Sequence, residues 1–448
     1  MPTPRPVLRF PVALLVGAGV VLAGERAHAN GRPLRTVSVH IRPDHPNDIL
    51  IAATIGMVIS HDGGASWRWM CEQAIGYGGT WDPDYLYTPS GRIFATTFDS
   101  LQILTDDECG FAPGNTVGIQ FSQVAQASTG LILGSAVEPS DSRLYRSIDN
   151  GDTFTPYLDP APGAWWNSLE FAPSDASRVY LSGYVFDKGG NKALLLFRSV
   201  DGGDSFQPLS VAGFASDEAS AFEIAAISPT NPDVMLIRVT LFNGTIGDAV
   251  YLTTDGGDTF TKKLELDDET PGILIRPDGT MYVTQRTREL PSYVSTDGGD
   301  TFQVITVDAP TAVHCLQNAP DGGMYVCANY ATPDFMALGH GTTYGTWTPA
   351  FAFEQMAGPV ACAEGTTQHD VCQENVWCGL KTMYGITSDE ISCTTEFPDA
   401  APAGDDGGGD SAADPPSCCG AGTSPSGALL VGLATIVPLV ARRRRRVA

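Results

Sequence analysis

Ser199-Val-Asp-Gly-Gly-Asp-Ser-Phe206 is the stretch on which the fold turns. It lies between the apolar runs Leu194-Leu-Leu-Phe197 and Phe206-Gln-Pro-Leu209, the layout of a β-hairpin whose loop carries turn chemistry. Asp and Ser side chains bond backbone N–H groups a residue or two ahead and so replace ladder bonds that a turn lacks. Glycine at the fifth position tolerates positive φ, and the closing aromatic re-enters the next strand and covers the turn. The octapeptide therefore reads as a self-contained folded corner.

Four more copies occur: Ser60-His-Asp-Gly-Gly-Ala-Ser-Trp67, Ser147-Ile-Asp-Asn-Gly-Asp-Thr-Phe154, Thr253-Thr-Asp-Gly-Gly-Asp-Thr-Phe260 and Ser295-Thr-Asp-Gly-Gly-Asp-Thr-Phe302. All read Ser/Thr-x-Asp-x-Gly-x-Ser/Thr-aromatic. The longest gap contains a shortened copy, Thr105-Asp-Asp-Glu-Cys-Gly-Phe111, and Gly341-Thr-Thr-Tyr-Gly-Thr-Trp347 is a later copy without the aspartate. A Pro- or Gly-marked turn followed by a strand precedes each copy, as in Pro229-Thr-Asn-Pro-Asp-Val-Met-Leu236 and Pro277-Asp-Gly-Thr-Met-Tyr-Val283. Repeats of about 40–50 residues that cannot bury their own sheets mark a propeller. Seven such units imply an all-β, seven-bladed β-propeller of four-stranded antiparallel blades over residues 35–353, closed so that no sheet edge is left exposed.

The octapeptide resembles the Asp-box, or BNR, repeat of sialidase-like β-propellers. That resemblance places Asp62, Asp149, Asp201, Asp255 and Asp297 on the outer rim in a structural role, away from the active face.

Residues 1–29 read as a secretory signal peptide: Arg5 and Arg9, an apolar run, then Ala27-His-Ala29. Residues 396–417 are rich in Ala, Gly, Pro, Asp and Ser and read as a disordered linker. Cys418-Cys419-Gly420, the apolar stretch 427–441 and Arg442 to Arg446 follow in order. This tail (418–448) resembles the MYXO-CTERM sorting tag. The resemblance implies a short transmembrane hold that processing removes, with lipid attachment at Cys418 or Cys419. A permanent single-span anchor is the alternative; either places the propeller outside the cytoplasm. The membrane is then met only through the tag. The net charge of −25 opposes nucleic acid and anionic lipid as partners.

Eight cysteines remain: Cys71, Cys109, Cys315, Cys327, Cys362, Cys372, Cys378 and Cys393. An even number in an exported chain favours disulfides. The expected pairs are Cys71–Cys109, joining successive blades, and Cys315–Cys327, flanking one hairpin. The other four are expected to staple a cysteine-rich closing segment, 354–395, as a cap over the ring. Zinc on Cys362, His369, Cys372 and Cys378 is the alternative, disfavoured by irregular spacing. No metal motif, phosphate loop or Ser-His-Asp order stands out, and no cofactor is implied.

A sialidase resemblance would bring arginines for a substrate carboxylate. Arg42 in His40-Ile-Arg-Pro43 and Arg276 in Ile275-Arg-Pro277 share one repeat position, which weakens a special role for either. Glycosidases need two acids, and Glu170 and Glu223 lie in expected inner strands. Solvated or locally paired carboxylates are the more ordinary reading of both. Trp81, Trp165 and Trp166 would make a sugar-stacking floor, or else pack between blades. His314 reads as a strand residue. The expectation is a monomeric, cell-surface binding or scaffold module for a protein or glycan, with a sialidase-like glycoside hydrolase as the alternative. An assembly factor for membrane complexes is a third, weaker reading.

Overall fold

The computed structural model describes residues 34–393, apart from 80, 138–141, 215–218, 243–245, 309–310, 331–332, 388–390 and 392. The leader 1–29, the linker 396–417 and the tag with Cys418, Cys419 and segment 427–441 lie outside the described residues. Among the described residues, no helix is long and apolar enough to cross a membrane.

Alternation builds the strands. Along Met235–Phe242, Ile237 and Val239 are buried toward the preceding sheet with Leu194, Leu196 and Phe222, while Leu236 is buried toward the following sheet with Ile273 and Val283. Both faces of a blade are covered because side chains of a strand point alternately to opposite sides. Seven four-stranded antiparallel sheets result, each from one contiguous stretch: 36–70, 85–113, 121–158, 165–208, 219–266, 272–305 and 313–351. Their first strands are Thr36–Ile41, Tyr85–Tyr87, Phe121–Gln126, Trp165–Ala172, Ala219–Ile227, Gly272–Ile275 and Val313–Asn318, and each neighbours the next around a closed ring. This is the expected seven-bladed propeller. The ring surrounds a central channel.

Every intact corner joins the third and fourth strands of its blade. In blade 4, Ser199 Oγ donates to Asp201 Oδ1 (2.7 Å), Gly203 N–H donates to Ser199 Oγ (2.8 Å) and Ser205 N–H donates to Asp201 Oδ1 (2.9 Å). The same bonds recur around Asp62, Asp149, Asp255 and Asp297. The fifth-position glycines have φ between 85° and 95°. The fourth position is also left-handed, at Gly63, Asn150, Gly202, Gly256 and Gly298, so the variable slot of the repeat admits only residues tolerant of that conformation. A Cβ on Gly299 would lie 2.6 Å from Leu252 of the preceding blade, which makes the corner a blade-to-blade joint as well.

Arginines add further joints. Arg92 donates to Asn150 O (3.1 Å), Arg198 to Gly256 O (2.9 Å) and Arg276 to Gly323 O (2.6 Å), each reaching the next blade's turns. Arg42 bonds Pro89 O (3.1 Å) and Asp48 (2.9 Å). Arg42 and Arg276 are thus spent on inter-blade contacts.

No strand is exchanged between the first and last blades. After Phe351 the chain runs alongside blade 1's outer strand: Ala357 N–H donates to Trp67 O (2.8 Å), Trp69 N–H to Gly358 O (3.0 Å) and Val360 N–H to Trp69 O (2.9 Å). Helical segments Gln368–Trp377 and Cys378–Tyr384 follow, with Trp377 buried 5.4 Å from the Trp69 ring. The disulfides are Cys71–Cys372, Cys109–Cys362, Cys315–Cys327 and Cys378–Cys393. The expected Cys71–Cys109 bridge is corrected. Both cysteines bond instead to the C-terminal segment, which runs along blade 1's outer strand and reaches both positions. The zinc alternative falls with it, since Cys362, Cys372 and Cys378 are all in disulfides, and among the described residues no group of three or more His, Cys, Asp or Glu could hold a metal.

Candidate functional site

The first strands carry the side chains that line the channel. Two cavities lie there. One, of about 440 Å³, is bounded by inner strands of blades 7, 1, 2, 3 and 4 and includes Ser38, His40, Asp84, Gln126, Glu170 and Gln317. The other, of about 200 Å³, spans blades 3 to 6 and includes Asn167, Glu170, Glu223, Arg238 and Thr270. Glu170 borders both.

Inner strands of blades 4 and 5 are tied directly. Ile224 N–H donates to Ser168 Oγ (2.9 Å), and from blade 4's second strand Ser182 Oγ donates to Phe222 O (2.8 Å). This holds Glu170 and Glu223 on adjacent rigid strands, but their environments differ. Glu223 faces Arg238 across the hairpin register and forms an ion pair with it; Arg238 also donates to Thr270 O (3.2 Å). Glu170 is open to the channel, with the inner strands of neighbouring blades around it. Enclosure first, and then the negative charge of Asp84, push its carboxyl up to about 8. Exposure to the channel tempers that shift, and its direction is upward.

Asp84 accepts Val124 N–H (2.9 Å), and burial nonetheless raises its carboxyl to about 7. His40 lies 2.8 Å from Ser38 Oγ, and burial pushes it down to about 4. His314, also on an inner strand, is pushed down to about 4 by burial, helped by Arg35 and Arg286. Both imidazoles are therefore neutral at pH 7. With both carboxyls raised toward neutrality and His40 neutral, the larger cavity is polar and carries less negative charge at that pH than two ordinary carboxylates would give it.

The tryptophans do not form a floor. Trp166 is fully buried between blades, 6.0 Å from Phe197, with its indole N–H donating to Ser142 O (2.8 Å). Trp165 is half-buried against the same core, and Trp81 packs 5.1 Å from Phe98 in loops. None of the three lines either cavity. Large apolar surface stands out elsewhere: Phe98, Phe186 and Phe335 are 49 %, 58 % and 57 % exposed, all in or bordering the connections between second and third strands. In a four-stranded meander that end is opposite the corners.

Asp84 and His40 were not among the expected site residues. Asp84 precedes an inner strand of only three residues, too short to display a period; His40 sits in a unit whose neighbouring Arg42 drew the reading.

No family model matches the chain, and no curated protein matches it. Among solved structures it is similar to an ancestral GH74 enzyme, with a TM-score of 0.54 and 16 % identity over 72 % of this chain and 47 % of that one. The chain thus spans about half the length of that enzyme. It is also similar to YCF48 from Cyanidioschyzon merolae (TM-score 0.45, 12 % identity, 66 % and 93 % covered) and to the WD40 β-propeller domain of Doa1 (0.41, 11 %, 66 % and 90 %). At these identities the likeness is one of fold: a β-propeller.

Proposed function

We propose that the protein is an exported, cell-surface-anchored binding or scaffold module for a protein or glycan ligand. The observation that carries this reading is the commitment of Glu223 to Arg238. It leaves the Glu170–Glu223 arrangement without a free nucleophile or base, and Arg42 and Arg276 are engaged between blades. The loop end with Phe98, Phe186 and Phe335 supplies the exposed aromatic surface that binding interfaces use. Four disulfides suit an oxidising compartment.

The test is a glycan and surface-protein binding screen with the purified propeller and its Phe98→Ser/Phe186→Ser/Phe335→Ser variant. The variant is expected to lose at least about tenfold in affinity, the scale of a few buried aromatic anchors; unchanged binding removes the loop end from the proposal. A second reading, a glycoside hydrolase, is favoured by one observation, a Glu170 carboxyl protonated near neutrality as a general acid needs to be. Turnover of a glycan panel that Glu170→Gln abolishes would replace the binding reading. For anchoring, Cys418→Ser with Cys419→Ser is expected to release the protein into the medium, and full surface retention in that variant counts against lipid attachment.

A further inference from the structure

We propose that the larger channel cavity binds a small organic cation, a primary amine or diamine whose ammonium sits between Asp84 and Glu170. This goes beyond the binding reading above and does not depend on it, because the site is inside the ring and not on the loop end.

Five observations carry it. The cavity, about 440 Å³, is larger than a short aliphatic diamine needs and contains both carboxyls. Glu170 has no hydrogen-bond or ion-pair partner among the described residues, and it borders both cavities with its side chain open to the channel. No Lys or Arg lines the larger cavity, so nothing there balances a carboxylate. Arg238, across Glu170 in the smaller cavity, is already held by Glu223 and Thr270 O. The walls supply what an alkylammonium requires: Gln126, Gln317 and Ser38 as acceptors for its three donors, and the half-buried Ile41, Leu86 and Ala125 for its methylenes.

Charge supports the same class. A net charge of −25 raises the local concentration of cations near the chain. A metal ion fits less well, since hard cations take six to eight oxygens and among the described residues no group of three or more His, Cys, Asp or Glu converges. One Asp84 oxygen is also occupied by Val124 N–H.

Binding is coupled to protons. The titratable and charged groups facing the ammonium are Asp84, Glu170, His40, Tyr85 and Tyr87, with the Glu223–Arg238 pair beyond Glu170. His40, pushed down to about 4, stays neutral above pH 6, and burial raises both tyrosines, so only the two carboxyls change state between pH 6 and 8.5. An amine stays charged through that range. Its arrival ionises the carboxyls and expels protons, and affinity rises with pH.

The experiment is calorimetric titration of the disulfide-intact protein with 1,4-diaminobutane at pH 7 in 0.3 M salt, in two buffers of different ionisation heat. One diamine per chain is expected to bind, with release of roughly one proton and with at least tenfold tighter binding at pH 8.5 than at pH 6. Glu170→Gln and Asp84→Asn should each weaken binding tenfold or more and reduce the proton release, with thermal melts confirming that both variants fold. Phe98→Ser/Phe186→Ser/Phe335→Ser should bind the diamine normally, which separates this site from the loop end. The proposal is overturned if 1,4-butanediol binds as well as the diamine, if Ca²⁺ displaces the diamine stoichiometrically, or if binding is multivalent, salt-labile and indifferent to Glu170→Gln.

Discussion

Asp201 illustrates how much one exposed carboxylate does in this fold. The Ser205 hydroxyl, the Ser199 hydroxyl and the Ser205 N–H all donate to it, and together they hold its carboxyl down to about 2. A folded value below the usual carboxylate range means that ionisation favours the folded state. That contribution is complete above about pH 4, the unfolded value, and is lost as pH falls toward 2. Because Asp62, Asp149 and Asp255 are held down to about 2 and Asp297 is also lowered, the corners fail together in acid. Thermal melts followed by circular dichroism should fall steeply between pH 4 and 2. Asp201→Ala should cost about 1 kcal/mol at pH 7, a modest sum because the group remains in water, and should flatten that acid limb slightly. An unaltered melting temperature in Asp201→Ala would show that the backbone alone holds the corner. These corners were legible in the sequence because their chemistry closes within eight residues. The pairing of Glu223 with Arg238 is equally local, one hairpin apart, but needs the register, which composition does not reveal.

At the level of elements, blades are units and the latch behind them is not. Hairpins and corners repeat in sequence, so their number and order could be read directly. The bridges Cys71–Cys372 and Cys109–Cys362 join positions 301 and 253 residues apart, and no local pattern encodes such a distance. Cys315–Cys327, in register across one hairpin, was legible for the opposite reason. The two kinds of bridge should also differ in worth. In the chain-entropy account, a loop of about 15 residues is worth about 3 kcal/mol and one of about 100 residues about 4.7 kcal/mol. Cys71→Ser with Cys372→Ser should therefore lower stability more than Cys315→Ser with Cys327→Ser, and should expose 353–393 to limited proteolysis while far-ultraviolet dichroism stays β-rich. Equal losses in the two double variants would show that the latch is held by Trp69, Trp377 and the backbone bonds of residues 357–360, not by the covalent bond.

For the whole molecule, the sevenfold repeat accounts for the ring but says little of its interior. The channel is where the repeats differ: a carboxylate paired in blade 5, an unpartnered one in blade 4, a buried one in blade 2 and neutral imidazoles in blades 1 and 7. Such differences are invisible to a search for likeness between units, which explains why architecture was readable and Asp84 and His40 were not. The missing strand exchange has one more result. A ring whose first and last blades share no strand relies at that seam on side-chain packing and on the segment after Phe351, which the Cys71–Cys372 and Cys109–Cys362 bridges fasten to blades 1 and 2. Reduction is therefore expected to loosen this seam before it disturbs any single blade.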